Sequence, residues 1–173
     1  MKRKQYRMLL LALVLILGVF AYESIGQSID STPVEKFDLK SFLGRWYEIA
    51  RLDHRFERGM TAVTADYVLK KDGTIEVINS GIKNGKRTEA KGKAKLTDTP
   101  GRLRVSFFWF FYSDYNVLAM DEKGQWALIG SKSPKYLWIL SRMPSLEDAT
   151  LRHIIALAKA KGYDTDKLII DNP

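Results

Sequence analysis

The chain reads as all-β: one eight-stranded antiparallel up-and-down β-barrel with a single C-terminal α-helix packed on its outside. Three observations predict this. From Phe37 onward, short β-branched and aromatic runs recur at regular spacing, separated by Asp72-Gly73, Asn84-Gly85, Pro100-Gly101, the segment 121–124 and Ser133-Pro134. Evenly spaced runs of this kind make a sandwich or a barrel. One run alternates strictly, with Arg87, Glu89, Lys91, Lys93 and Lys95 interleaved with Thr88, Ala90, Gly92, Ala94 and Leu96, so one face is wet and the other carries small side chains. After the last run, Leu151, Ile154, Ile155 and Ala158 repeat at helical spacing and need a surface to pack on.

At the amino terminus, Lys2, Arg3, Lys4 and Arg7 precede an uninterrupted apolar run over 8–21. That run falls short of the ~20 residues needed to cross a bilayer core, so residues 1–21 read as an export signal, cleaved after Ala21 or kept as a tether. Residues 22–36 lack apolar periodicity and read as a linker, and 37–173 as the folded domain. The turn formers mark strands at 46–52, 62–70, 74–80, 87–96, 103–108, 115–120, 125–131 and 136–142. Pro144 and Ser145 then open the helix, with Ser145 as cap and Asp148 answering it three residues on. Gly162 ends the helix, and a short strand follows at 168–170.

The chain has no cysteine, so stability rests on the apolar core and strand pairing. Of the formal net charge of +8, half lies in the four cations of the export signal. The remainder is mildly basic, which suits an anionic lipid surface or simple solubility and does not indicate a nucleic-acid partner.

Alternation sorts the interior. Ala90, Gly92 and Ala94 line the fourth strand, Asn116, Leu118 and Met120 the sixth, and Tyr136, Trp138 and Leu140 the eighth. A barrel filled by its own side chains needs bulk at such positions, whereas one that encloses a ligand leaves volume open; a close approach by a helix is the alternative. Strands of alternating direction put the loops 53–60, 81–86, 109–114 and 132–135 at one end, the mouth. There Arg51, His54, Arg55 and Arg58 are concentrated, able to meet a phosphate or carboxylate headgroup. At the other end Trp46 and Arg142 can stack, a guanidinium over an indole, as a structural plug. The run from Phe107 to Tyr112 is aromatic throughout, too many rings for alternate burial to hide. Phe108, Trp109, Phe110 and Phe111 are therefore expected either at the rim, touching a membrane or guiding an acyl chain, or folded back as a plug.

Gly44-Arg45-Trp46, Asp114-Tyr115-Asn116 and Arg142 occur in the order of the three signatures of the lipocalins, and the chain resembles that family. The runs 46–51, 53–59 and 136–142 are similar to its bacterial outer-membrane and apolipoprotein D-like branch. The resemblance implies a carrier of fatty acids or lysophospholipids in the cell envelope, with no catalytic residue. Burial of about sixteen carbons at ~0.8 kcal/mol each gives roughly 12 kcal/mol gross, enough to offset association and chain ordering. It also implies a lipid-modified cysteine near the amino terminus. This chain has Val19-Phe20-Ala21-Tyr22 there, which favours periplasmic or membrane-associated placement over a lipoprotein anchor.

Enzymatic chemistry finds little material: no cysteine, no Gly-x-Ser-x-Gly elbow, and only His54 and His153 as imidazoles. Two distant histidines also make no metal site, and no cofactor is expected. The second reading is a haem or tetrapyrrole carrier, with His54 or a tyrosine as axial ligand.

Overall fold

The computed structural model describes residues 28–108 and 110–171. The expected export signal and Trp109 lie outside the described residues. In chain order the elements are α1 (Leu39–Phe42), β1 (Gly44–Leu52), β2 (Met60–Leu69), β3 (Ile75–Lys83), β4 (Lys86–Leu96), β5 (Arg102–Phe108), β6 (Phe111–Met120), β7 (Trp126–Gly130), β8 (Leu137–Ser141), α2 (Asp148–Ala160), a 3-10 turn (Thr165–Lys167) and β9 (Leu168–Ile170). The first eight strands pair antiparallel in sequence order, and β1 closes the barrel by pairing with both β2 and β8. The eight strands and the outer helix predicted from the sequence are therefore present.

Four local expectations need correction. The mouth loop expected at 81–86 shrinks to Asn84 and Gly85, both at positive φ, which matches the twist of a two-residue hairpin and lets β3 run on to Lys83. Most of the loop expected at 109–114 is strand, because Phe108 pairs with Phe111 across a tight hairpin. Ser145 does not cap α2: Leu146 packs on the outer apolar cluster and Glu147 stays extended, so the helix begins at Asp148 without a side-chain cap. Part of the expected linker is fastened down. Asp30 pairs with Lys161 at 2.8 Å, Ser31 O accepts from Asn116, and the Val34 N–H donates to Val117 O. Gly162, at φ +86, ends α2 as its backbone freedom predicts.

Two apolar clusters follow from the alternation of the strands. The inner one takes residues from all eight strands, among them Trp46, Tyr67, Ile75, Leu103, Val117 and Leu140, with Phe42 of α1 beneath. The outer one joins Ile154 and Ala158 of α2 to Leu118, Leu128, Leu137 and Ile139. β-bulges at Glu48/Ala50 in β1 and Val117/Ala119 in β6 shift which residues face inward.

Candidate functional site

The closed end is built around Trp46. Its indole N–H donates to Phe42 O at 2.8 Å, and the Arg142 guanidinium lies 3.7 Å over its ring. Arg142 also donates to the carbonyls of Arg45, Ser41 and Leu43 at 2.5–2.9 Å. Those three carbonyls come from α1 and the start of β1, so one side chain ties the cap helix to the barrel. Gly44, at φ +92, lets the chain turn from α1 into β1. Above this floor the Tyr67 and Tyr115 hydroxyls meet at 2.6 Å across the interior. Burial pushes both phenols well above their ordinary range.

Higher up, β3 and β4 form the more open wall. Asn79 pairs with Ala90, Val77 with Gly92 and Ile75 with Ala94. Ala94 is fully buried in the packed lower core, whereas Ala90 faces inward and still reaches solvent. Gly92 is small for a more specific reason than free volume: a Cβ there would sit 2.8 Å from the Phe107 ring and 2.7 Å from Ser106 O. The close neighbour is thus an aromatic ring of β5, where the sequence suggested a ligand or a helix. Of the residues expected to line β6, Met120 packs on the inner cluster near the closed end. Asn116 and Leu118 do not face the lumen. Asn116 donates to Ser31 O under the N-terminal strap, and Leu118 packs under α2. On β8, Trp138 and Leu140 belong to the inner cluster, and the Tyr136 ring stacks on Trp138 with centroids 6.0 Å apart.

The four cationic candidates at the mouth separate into two kinds. Arg55 and Arg58 are exposed; Arg55 lies over the Phe56 ring and Arg58 pairs with Asp53 at 2.9 Å. Arg51 and His54 are not free headgroup ligands, because both are buried and already face carboxylates. Arg51 Nη1 donates to Glu48 Oε1 at 2.6 Å, and Nη2 donates to the carbonyls of Glu57 and Met60 at 3.1 Å each. His54 Nε2 lies 3.0 Å from Glu57 Oε2, which also accepts from the Trp138 indole at 3.0 Å. The β1 bulge is the cause: strict alternation from Trp46 would turn Ala50 inward and Arg51 outward, and the extra residue reverses this.

Glu48 and Glu57 complete the cluster, and the charge of Glu57 acts on the Glu48 carboxyl. Burial, reinforced by the neighbouring Glu57 charge, pushes the Glu48 carboxyl up to about 8. Glu57 titrates below its ordinary value: against the upward push of its own burial, the His54 imidazole beside it and the Trp138 N–H it accepts win out. Neither glutamate stood out in the sequence. Glu48 was within reach, since it sits two residues after Trp46 and so on its face; Glu57 lies in a loop, where no periodicity gives direction.

At the rim the β5–β6 hairpin exposes Phe108 (71%), Phe110 (70%) and Phe111 (66%), and the β1–β2 loop adds Phe56 (61%). The Phe110 and Phe111 rings touch in a tilted arrangement, with centroids 4.7 Å apart. The side chains of Phe108, Phe110 and Phe111 therefore stand out from the barrel and do not fold in as a plug. The other imidazole, His153, is exposed on α2, with its ring 6.1 Å from Trp126.

A closed eight-stranded barrel, plugged at one end by an arginine over a tryptophan and with a helix on its flank, defines a lipocalin. The chain belongs to this family: a lipocalin-like domain model matches residues 37–173. Membership brings the family's work, binding a small hydrophobic ligand. Among curated relatives, the outer membrane lipoprotein Blc of Escherichia coli K12 is 47% identical over 142 residues, covering 80% of each chain. The Blc of Vibrio cholerae is 43% identical over 164 residues, covering 91% of this chain and 96% of that one. Mouse apolipoprotein D is 35% identical over 150 residues, covering 80% and 78%. Among solved structures, insecticyanin from the tobacco hornworm Manduca sexta superimposes with a TM-score of 0.70 at 26% identity, covering 86% of this chain and 87% of that one.

Proposed function

We propose that this lipocalin carries a single-chain acyl lipid, a fatty acid or lysophospholipid, in its barrel and exchanges it at a membrane surface in the bacterial envelope. The observation that carries this reading is the exposed β5–β6 hairpin beside the mouth. Clustered apolar rings on a soluble surface mark an interaction site. Aromatic side chains flanked by cations, here Arg55, Lys86 and Lys135, suit the headgroup–acyl boundary. Behind the rim, Ala90 leaves the β4 wall low, and an acyl chain gains about 0.8 kcal/mol for each CH2 it buries there. The name of the Blc relatives, outer membrane lipoproteins, supports an envelope setting. In this reading the rim is what engages the membrane surface during exchange.

The tetrapyrrole alternative is less favoured. His54 Nε2 faces Glu57, and the Tyr67 and Tyr115 hydroxyls are bonded to each other, so the leading axial candidates are engaged. Native mass spectrometry of the purified protein with lipid extraction is the test. A co-purifying fatty acid or lysophospholipid is expected; an empty barrel that refuses added acyl chains would overturn the carrier reading, and a Soret band would install the alternative. For the exchange step, changing Phe108, Phe110 and Phe111 together to Ser is expected to abolish vesicle binding and slow lipid uptake. Unchanged vesicle binding would remove the rim from the function.

A further inference from the structure

Alternation along β4 and β5 leaves one flank of the barrel bare. Ala94 and Leu103 are fully buried in the inner cluster, so Arg87, Glu89, Lys91, Lys93 and Lys95 on β4, and Arg102 and Arg104 on β5, point away from the lumen. All of these except Glu89 are cations, and all except the half-buried Arg102 are exposed. The outer helix does not reach them, since α2 packs over Leu118, Leu128, Leu137 and Ile139 of β6, β7 and β8. Solvation does not require a single sign of charge. The flank beside it pairs its charges, Arg45 with Asp66 and Lys70 with Glu76. On β4 and β5, Lys95 instead stands directly opposite Arg104 in the register, and like charges so placed work against the fold. Glu89 lies 3.6 Å from Lys91, and Asp114 is shared by Arg104 and Lys132. Among the described residues, Arg87, Lys93 and Lys95 form no ion pair; Lys93 and Lys95 lie over the Tyr112 ring, 5.8 and 5.2 Å from its centroid. β4 is paired on both sides, so its lysines do not serve to block an exposed strand edge.

We propose that this flank is a second membrane-contact surface, which lays the barrel on its side against a bilayer carrying anionic phospholipid. The inference rests on the rim reading above and extends it. The hairpin that bears Phe108, Phe110 and Phe111 joins β5 to β6, one strand away from β4, so the aromatic rim and the cationic flank are continuous. β4 leaves the mouth at the Asn84-Gly85 turn and runs toward the closed end. From Arg87 to Lys95 the strand covers about 26 Å, or about 20 Å of depth once it tilts by about 40°. In a barrel standing upright on its rim, Lys95 lies well beyond the screening length of about 8 Å at physiological salt, and its charge is not felt by the membrane. Lying on the β4–β5 flank brings Arg87, Lys91, Lys93 and Lys95 to the phosphates together, while the phenylalanines reach the headgroup–acyl boundary. Lipid phosphates then supply the countercharge that the flank lacks.

The experiment sediments the full-length chain with vesicles of phosphatidylcholine alone and of phosphatidylcholine mixed with phosphatidylglycerol. Wild type is compared with a flank variant, Lys91→Glu, Lys93→Glu and Lys95→Glu together, and with a control of equal charge change, Lys123→Glu, Arg152→Glu and Lys159→Glu, on the β6–β7 turn and α2. All three proteins carry the same N-terminal cations, so the comparison reads the flank. The flank variant is expected to lose about tenfold or more in affinity for the anionic vesicles and little for the neutral ones; the control is expected to lose much less. Equal losses in the flank variant and the control, or none in either, would overturn the flank. Phe108→Ser, Phe110→Ser and Phe111→Ser together are expected to weaken binding to both compositions. Their failure to do so would remove the rim reading, whatever the lysines do; weakening by the serines with no effect of the lysines would leave the rim standing without the flank. Should the flank variant melt well below the wild type, Lys→Gln at the same three positions takes its place, with a severalfold loss expected on anionic vesicles alone and no loss overturning the proposal.

Discussion

The Asp171 carboxylate accepts the backbone N–H of Ala62 at 3.1 Å, and through its other oxygen that of Val63 at 2.9 Å. Ala62 sits at φ +50, in the β2 irregularity where β1 and β2 stop pairing. The Asp171 N–H reaches across to Ile49 O, continuing the pairing of β9 with β1. The C-terminal strand thus fills the gap the two strands leave on the mouth side. Asp171→Ala strands two N–H groups and is expected to lower stability by about 2–3 kcal/mol in urea denaturation. Ala62→Gly relieves the left-handed strain and is expected to be neutral or stabilising, by about 1 kcal/mol at most. An unchanged midpoint for Asp171→Ala would show that the clasp contributes nothing.

Arg142 is a harder position to replace than its partial exposure suggests. Its fork serves three carbonyls while its plane covers Trp46, and a lysine can neither stack nor chelate in this way. Both Arg142→Ala and Arg142→Lys are expected to destabilise by about 2–4 kcal/mol, with near-ultraviolet circular dichroism reporting the freed indole. Full rescue by lysine would reduce the pair to simple charge.

The acid pair predicts a pH dependence of stability. Below its ordinary value of 4.5, Glu48 is protonated whether the chain is folded or unfolded. Between 4.5 and about 8 the folded state holds a proton that the unfolded state has lost, so stability falls as pH rises through that window. Glu57 works oppositely: its lowered value stabilises the fold above the ordinary carboxylate range, and that contribution is lost in acid. Melting curves of Glu48→Gln are expected to be flatter than wild type between pH 5 and about 8. Parallel curves would mean that the carboxyl is not held neutral.

Gly92→Ala tests the packing of β4. The added methyl meets a backbone oxygen and the Phe107 ring within 3 Å, and only the ring can swing away. A loss of about 1–3 kcal/mol is expected, together with greater exposure of Phe107 at the rim and tighter vesicle binding. Wild-type stability would show that the ring yields freely.

Strand order, hairpin positions and the outer helix were legible because each depends on local pattern: period-two alternation in 87–96, Gly at the turns, and the stripe from Leu151 to Ala158. The closed-end pair was legible too, since antiparallel order alone brings the start of β1 beside the end of β8. The interior was legible only where no bulge intervened. Ala90 and Trp138 point inward as alternation demands, but the bulge in β1 turned Arg51 into the barrel, and the outward side of Asn116 was hidden by a strap with no periodicity of its own.

By itself the sequence determined the barrel, its polarity of closed end and mouth, and an aromatic run too dense to bury, since these follow from short-range periodicity and chain direction. Only the tertiary structure decided that two of the four basic side chains at the mouth, Arg51 and His54, are internal and face carboxyl groups, that the C-terminal Asp171 closes the wall near Ala62, and that Gly92 is small because Phe107 lies over it. Each of these joins residues far apart in the chain or hangs on a one-residue bulge. The free energy involved resides in burial and pairing across the barrel, which local pattern does not encode.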